Sequence, residues 1–140
     1  MTRARDIMTG PAEYLTESDT LLDAARRMAE LGVGALPVCS PERRLVGMVT
    51  DRDIVIRGLA TGRDPGQTPV ADIVREHGEV ATIGADDEAE EILKAMSTQK
   101  VRRLPVLDGT DLVGMISQGD VARSLPHPAV GDLLEVISED

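Results

Sequence analysis

The spacing of apolar and polar positions predicts one short series of elements, and the series occurs twice along the chain. In residues 18–32 the apolar side chains recur at helical spacing, and Gly32 is placed to end the helix. Two apolar runs of strand length follow at 35–38 and 44–50, joined by a polar turn. A further helix is predicted from residue 51. This order indicates an α/β (α+β) unit built as strand, helix, strand, strand, helix.

The first long helix of each copy is expected to bury one face. Five apolar residues at helical spacing are predicted to form this face in the first copy: Leu21, Leu22, Ala25, Met28 and Ala29. The face predicted for the second copy consists of Ala89, Ile92, Leu93 and Met96. Ser18 or Asp19 is predicted to cap the first of these helices, and Asp86 or Asp87 the second.

The second series is a copy of the first in its letters as well as in its pattern. The run VGALPVC at 33–39 aligns with VRRLPVL at 101–107, and LVGM occurs identically at 45–48 and 112–115. The period of 66 to 68 residues predicts a tandem duplication that covers nearly the whole chain.

We therefore predict two domains, residues 1–65 and 66–140, the second with a C-terminal helix, and the Gly- and Pro-rich segment 62–69 as the linker. A unit of about 60 residues is only marginally stable by itself. The two copies are expected to bury similar apolar faces against each other about a pseudo-two-fold axis. Such a pairing would bring equivalent loops together and leave a ligand cleft between the halves.

Composition and charge exclude several classes of function. The 140-residue chain has a net charge of −10, which repels nucleic acid and anionic membranes. No nucleophile–base pair or phosphate loop is visible, so we do not expect an enzyme. Cys39 is the only cysteine and is expected to be a buried, inert thiol, while His77 and His127 lie too far apart to predict a metal site. The chain shows no signal peptide or membrane span, and we expect it in the cytoplasm.

A hydroxyl residue followed three positions later by aspartate stands at the same strand-to-helix junction of each copy. The two pairs are Thr50 with Asp53 and Ser117 with Asp120. Each pair resembles a capping box, in which hydroxyl and carboxylate only fix the start of a helix. A carboxylate there can also accept both hydroxyls of a ribose, as in dinucleotide sites. A glycine three residues before each hydroxyl would let another group approach closely, and this favours a nucleoside pocket.

The doubled motifs GALPV…LVGMVTDRD and RRLPV…LVGMISQGD resemble a tandem pair of CBS domains, also called a Bateman module, over essentially all 140 residues. The resemblance implies a non-catalytic regulatory or sensor module without a required cofactor. It implies an adenosine-containing ligand, namely AMP, ADP, ATP, NAD or S-adenosylmethionine, with AMP or ATP favoured. It also implies a homodimer and an unidentified protein partner.

Carried over residue by residue, the resemblance implies two related clefts. In the first, Asp120 would hold the ribose beside Ser117. The other residues implied there flank the base or face phosphates: Met115, Arg102, Arg103, Val33, Gly34 and Ala35. In the second cleft, the residues implied are Asp53, Thr50, Met48, Val80, Ala81, Val101 and Arg102. The arginine pair has no counterpart in the first copy, so the first cleft is favoured for phosphorylated ligands. The same arginines could instead form surface salt bridges.

An alternative reading keeps the fold and drops the ligand. The chain would then be an interaction, scaffold or stress protein with vestigial clefts, whose hydroxyl–aspartate pairs only cap helices. The apolar segments 53–60 and 129–137 could form a dimer interface or could complete the core of the single chain.

Overall fold

The computed structural model describes residues 2–77 and 80–124, apart from the side chain of His77. The helices and strands follow one another in the order α1 (Ala4–Ile7), β1 (Leu15–Thr16), α2 (Leu21–Leu31), β2 (Ala35–Cys39), β3 (Leu45–Thr50), α3 (51–61), α4 (Val70–His77), β4 (Ile83–Gly84), α5 (Ala89–Gln99), β5 (Arg103–Asp108), β6 (Asp111–Ser117) and α6 (Gln118–Ser124). The series predicted from the sequence is confirmed, with one further helix before each copy.

Two small sheets are built in the same way. In each, a two-residue strand pairs parallel with the next strand, which pairs antiparallel with the last, giving the orders β1-β2-β3 and β4-β5-β6. The register shifts at the same place, between Val38 and Cys39 in one sheet and between Val106 and Leu107 in the other. The sequence repeat is therefore a repeat of backbone geometry.

The chain forms two compact units, and each takes its opening helix from the other copy of the repeat. The first unit is Glu13–Val80, in which α4 packs on β3. In the second unit, residues 2–12 join residues 81–124, and α1 contacts β6 and α6. The predicted division at residues 65 and 66 concerns the sequence repeat and stays a prediction.

The predicted linker 62–69 is packed within the first unit. The Leu22 N–H donates to the Pro65 carbonyl at 3.0 Å, and the Leu21 N–H donates to the Thr68 carbonyl at 3.0 Å. The first turn of α2 has free N–H groups, as every helix start does. The Gly- and Pro-rich segment satisfies two of them.

The buried face of α2 is narrower than predicted. Leu21, Ala24 and Met28 are buried, whereas Leu22 is 37% exposed and the predicted Ala25 and Ala29 are also exposed. The prediction combined two neighbouring stripes of the helix, of which only the stripe with the spacing i, i+3, i+7 faces the sheet. In α5, the predicted Ile92 and Met96 are buried, and Ala89 and Leu93 are half-buried.

The caps of these helices also differ from the prediction. Thr20, and not Ser18 or Asp19, caps α2, and Glu88, and not Asp86 or Asp87, precedes α5. Asp19 instead accepts the Thr16 N–H at 2.9 Å, and Asp87 accepts the Gly84 N–H at 2.8 Å. Each aspartate closes the turn before its helix, a local role for which its short side chain is suited.

Each unit has a core of aliphatic side chains between its sheet and its helices. Cys39 is fully buried, as predicted, and burial raises the pKa of its thiol. That the thiol is inert stays a prediction. No helix within 2–77 and 80–124 is long and apolar enough to cross a membrane.

Candidate functional site

In the first unit, the hydroxyl–aspartate pair lies where β3 runs into α3. The Asp53 N–H donates to Thr50 Oγ1 at 3.0 Å, and the Thr50 N–H donates to Asp53 Oδ2 at 3.0 Å. The two bonds form a complete capping box. The Asp53 side chain is nevertheless no surface cap, since the residue is only 6% exposed.

The second unit repeats this arrangement between β6 and α6. The Asp120 N–H donates to Ser117 Oγ at 3.1 Å, and the Ser117 N–H donates to Asp120 Oδ2 at 2.8 Å. Asp120 is 5% exposed. Asp53 and Asp120 are the buried charged residues of the described chain, and both occupy the same position of the repeat.

The other oxygen of each carboxylate pairs with an arginine one helical turn further on. Asp53 Oδ1 lies 3.2 Å from Arg57 Nε, and Asp120 Oδ1 lies 2.5 Å from Arg123 Nη2. Sequence reasoning missed both arginines, although their i+4 and i+3 spacing on a helix was a signal for such pairs. The pairs offset the cost of burying the two carboxylates.

A third hydroxyl–aspartate pair shows that the motif alone does not define a site. Thr20 and Asp23 form the same capping box at the start of α2, with hydrogen bonds of 3.1 and 2.9 Å. Asp23 is exposed, and its hydrogen bonds to Thr20 lower its pKa. Arg26, three residues further on, also lowers the pKa of Asp23, so it is burial of the carboxylate that distinguishes the Asp53 and Asp120 positions from this cap.

The glycines before the hydroxyls have a packing role, which corrects their predicted role beside a ligand. A Cβ on Gly47 would overlap the side chain of Val74 on α4. A Cβ on Gly114 would lie 2.5 Å from Met8 Sδ and 3.0 Å from the Thr9 carbonyl oxygen. The close approach that the glycines permit is therefore used by Val74 of α4 in the first unit and by Met8 and Thr9, just after α1, in the second.

The two methionines implied beside the base occupy equivalent strand positions. Met48 is opposite Pro37, and Met115 is opposite Pro105. The next pair in each hairpin, Leu36 with Val49 and Leu104 with Ile116, belongs to the core. Since neighbouring strand residues point to opposite faces, both methionines lie on the sheet face away from the core. Met48 is buried, and Met115 is half-buried, with its backbone bonded to Thr9 at 2.8 and 3.0 Å.

The predicted basic pair lies at the start of β5 in the second unit. Arg102 is exposed and Arg103 is half-buried. Its counterpart in the first unit is Gly34 with Ala35, both half-buried at the start of β2. Neither guanidinium has a salt-bridge partner in the part of the chain that the structure describes.

The remaining predicted residues are half-buried. Val33 packs at the edge of the first core, and Ala81 and Val101 pack against the second. Val80 is the last residue of the first unit. Each predicted cleft draws on residues of both units, and how these residues combine stays a prediction.

Neither unit shows a metal centre in its described residues, where no group of three or more His, Cys, Asp or Glu side chains could hold an ion. The His77 side chain and His127 lie outside the described residues.

Comparison with known proteins gives close relatives over the full length. The chain is 41% identical to Hypoxic response protein 1 of Mycobacterium tuberculosis, over 98% of this chain and 94% of that protein. It is 35% identical to the CBS domain-containing protein YhcV of Bacillus subtilis, over 99% and 96% of the two chains.

Solved structures share the fold. A crystal structure of Hypoxic Response Protein I with two coordinated zinc ions superposes with a TM-score of 0.82 at 42% identity, covering 89% of this chain and 100% of that one. A CBS domain protein of Pyrobaculum aerophilum complexed with AMP superposes with a TM-score of 0.77 at 22% identity, covering 96% and 99%. The CBS domain family model matches residues 4–59 and 70–127. With both copies of its repeat matched in this way, the chain belongs to the CBS domain family and carries two CBS domains, the regulatory module of that family.

Proposed function

We propose that this chain is a non-catalytic regulatory module that binds an adenosine-containing ligand through Asp53 and Asp120. The observation that carries the proposal is the pair of buried carboxylates at one position of the repeat, each held by a capping box and an arginine. Burying a charge is costly, and a helix start does not require it, as the exposed Asp23 shows. Ligand binding, as a second role of the carboxylate besides capping, would explain why it is buried.

Asp120 can accept a ribose without giving up its cap. An ionised carboxylate offers about four lone-pair sites over its two oxygens. At Asp120 the capping box takes one site on Oδ2, and Arg123 takes one on Oδ1. The remaining capacity suits the vicinal hydroxyls of a ribose, which acidic residues also accept in dinucleotide sites. We propose the same use for Asp53, which occupies the equivalent position of the repeat.

The second unit is better suited to phosphates than the first. Arg103 of β5 is paired in the sheet with Ser117 of β6, which lies three residues before Asp120. Arg102 directly precedes Arg103, so both arginines lie beside the strand that leads to Asp120. Arginine recognises phosphate oxygens well. We therefore propose AMP or ATP as the ligand of the Asp120 site, framed by Val33, Gly34 and Ala35. The AMP complex of the Pyrobaculum aerophilum relative supports this ligand class.

The experiment is a thermal-shift titration with AMP, ATP and S-adenosylmethionine. Ligand at about 100 times Kd would stabilise the folded chain by about 2.7 kcal/mol and raise Tm. Asp120→Asn keeps a capping acceptor but weakens the grip on the ribose, so the shift with AMP should fall. Asp23→Asn is the matched control, because it alters an identical box outside the proposed site, and its shift should equal that of the wild type. No shift with any of the three compounds at millimolar concentration would contradict the proposal.

A second candidate function is a protein–protein interaction that needs no ligand. Val55, Ile56 and Leu59 on α3 are 52%, 50% and 52% exposed, while Ile54 and Gly58 of the same helix are buried. An apolar patch of this kind marks an interaction surface. We propose that it contributes to a homodimer, an assembly compatible with either function. The other predicted interface segment, 129–137, lies outside the described residues.

We propose that this module is located in the cytoplasm. Adenine nucleotides are abundant there, and the free thiol of Cys39 suits a reducing compartment.

A further inference from the structure

We propose that Arg57 is a positioning residue of the Asp53 site, which orients the carboxylate for the ribose and ties it to the C-terminal end of α4. Ligand binding at Asp53 then stabilises that end of the helix. The inference rests on the proposed function and adds a route by which the first unit responds to its ligand. It comes from a difference between the two copies of the repeat, which build the same ion pair on helices of different geometry.

One extra residue separates the aspartate from the arginine in the first copy. The first copy reads DIVIRG at 53–58, and the second reads DVARS at 120–124. The second pair lies on the ordinary α-helix α6, whereas the backbone of α3 widens into a π-helical turn over Ile54–Gly58. The Leu59 N–H donates there to the carbonyl five residues back. The wider turn takes up the extra residue, and the ion pair to the buried aspartate is kept.

The arginine on the π-helical turn has a second partner on another helix. Its Nε lies 3.2 Å from Asp53 Oδ1, and its Nη1 donates to the Glu76 carbonyl at 2.6 Å. Glu76 is in the last turn of α4, where carbonyl groups lack partners within the helix and attract cations. Arg57 is half-buried, whereas Arg123 of the second copy is exposed. Arg57 thus bridges the buried carboxylate and the end of α4.

A second arginine fixes the position of this bridge. Arg63 Nη1 donates to the Arg57 carbonyl at 2.9 Å, and Arg63 Nη2 donates to Glu76 Oε1 at 2.6 Å. The Thr61 hydroxyl also donates to the Arg57 carbonyl, at 2.7 Å. Arg57 and Glu76 are therefore joined twice, once directly and once through Arg63. This frame holds the guanidinium of Arg57 in place.

The bridge directs the Asp53 carboxylate before any ligand arrives. A guanidinium carries its donors in a rigid plane, so anchoring Nη1 on α4 sets the direction of Nε. The other carboxylate oxygen, Oδ2, accepts the Thr50 N–H at 3.0 Å. A carboxylate that is already ordered loses less freedom when the ribose hydroxyls bind, and this raises the affinity.

The coupling acts in both directions. If the anchored Arg57 favours the ligand by some factor, the ligand must favour the anchored arrangement by the same factor. Binding at Asp53 should therefore stabilise the last turn of α4, which directly precedes the end of the first unit at Val80.

The test is isothermal titration calorimetry on the full chain carrying Asp120→Asn, which weakens the other site. Adenosine and 2′,3′-dideoxyadenosine are the probes, since both are neutral and differ only in the hydroxyls. Arg57→Lys keeps the charge but replaces the rigid fork by a flexible point charge. It should weaken adenosine binding about two- to tenfold, the cost of ordering one side chain, and leave the binding of dideoxyadenosine within about twofold.

Hydrogen exchange measures the other end of the bridge. Without ligand, Arg57→Lys should speed the exchange of the amides at 74–76, because the last turn of α4 loses its anchor. Adenosine should slow exchange there in the chain that keeps Arg57, and should slow it less in Arg57→Lys.

Arg27→Lys is the matched control. Arg27 lies on α2 of the same unit and pairs with Glu13 at 2.6 Å, and its side chain is 37% exposed, as is that of Arg57. It should change neither the adenosine affinity nor the exchange of α4. Equal effects of the two substitutions, or an unchanged ratio of the two affinities in Arg57→Lys, would overturn the inference, while adenosine binding would still support the proposed function. If adenosine does not bind the Asp120→Asn chain, the inference fails, and if it does not bind the wild type either, the proposed function fails with it.

Discussion

Gly47 and Gly114 show how one residue can be explained by the neighbour it accommodates. Both occupy the last strand of a hairpin, three residues before the hydroxyl of the capping box. Their position suggested a ligand, but Val74 and Met8 fill the space. From the sequence, a glycine at these positions indicates that some other group comes close to the strand. Only the fold shows which group this is.

Replacing either glycine by alanine should destabilise the chain by about 1–3 kcal/mol, the usual cost of overpacking a core. The new methyl group would force the Val74 side chain away from β3, or the Met8 side chain away from β6. Urea unfolding followed by circular dichroism measures the change. Gly66→Ala is the control, since its Cβ would meet Asp64 at an ordinary 3.5 Å. Equal stability of Gly47→Ala and Gly66→Ala would contradict the packing explanation.

At the scale of elements, the local pattern predicted the hairpins, the long helices and both capping boxes. It did not predict that α1 and α4 pack with the other copy, because two copies with the same apolar pattern offer each helix equivalent partners. It misassigned the buried face of α2, where Leu22 and Ala25 extend the apolar pattern over a face that stays exposed among residues 2–77 and 80–124. It also missed Arg57 and Arg123, since a flexible arginine can reach several acceptors.

The end of α4 is held by two arginines, Arg57 within α3 and Arg63 just after it. Arg63 Nη2 lies 2.6 Å from Glu76 Oε1, and this hydrogen bond lowers the pKa of Glu76 below its ordinary 4.5. A carboxyl group with a lowered pKa stabilises the folded state above its unfolded pKa, and the effect is lost as the pH falls through the folded value.

Glu76→Gln should therefore lower Tm slightly at pH 7 and leave it unchanged at a pH well below 4. The effect is small because the pair is partly exposed to solvent. Calorimetric scans of the wild type and the variant from roughly pH 2 to pH 7, a range that covers the titration of carboxyl groups, measure the difference in Tm. A difference in Tm that persists at the lowest pH would assign the effect to packing instead of charge.

At the scale of the whole molecule, the exposed apolar face of α3 should hold two chains together. Val55→Lys with Leu59→Lys places two charges on that face without touching the buried Ile54. The variant should elute as a monomer in size-exclusion chromatography with light scattering, at the concentration where we expect the wild type to elute as a dimer. The matched control is Val46→Lys, an exposed apolar residue on β3, which should leave the dimer intact. A dimeric double variant would place the interface elsewhere.

The most direct test of the central claim compares AMP with its 2′,3′-dideoxy analogue by isothermal titration calorimetry on the wild-type chain. If Asp53 and Asp120 hold the ribose, removal of both hydroxyls should weaken binding at least about tenfold, the value of one charge-assisted hydrogen bond. The loss should shrink in the double variant Asp53→Asn with Asp120→Asn. Equal affinity of the wild type for the two compounds would contradict a carboxylate grip on the sugar.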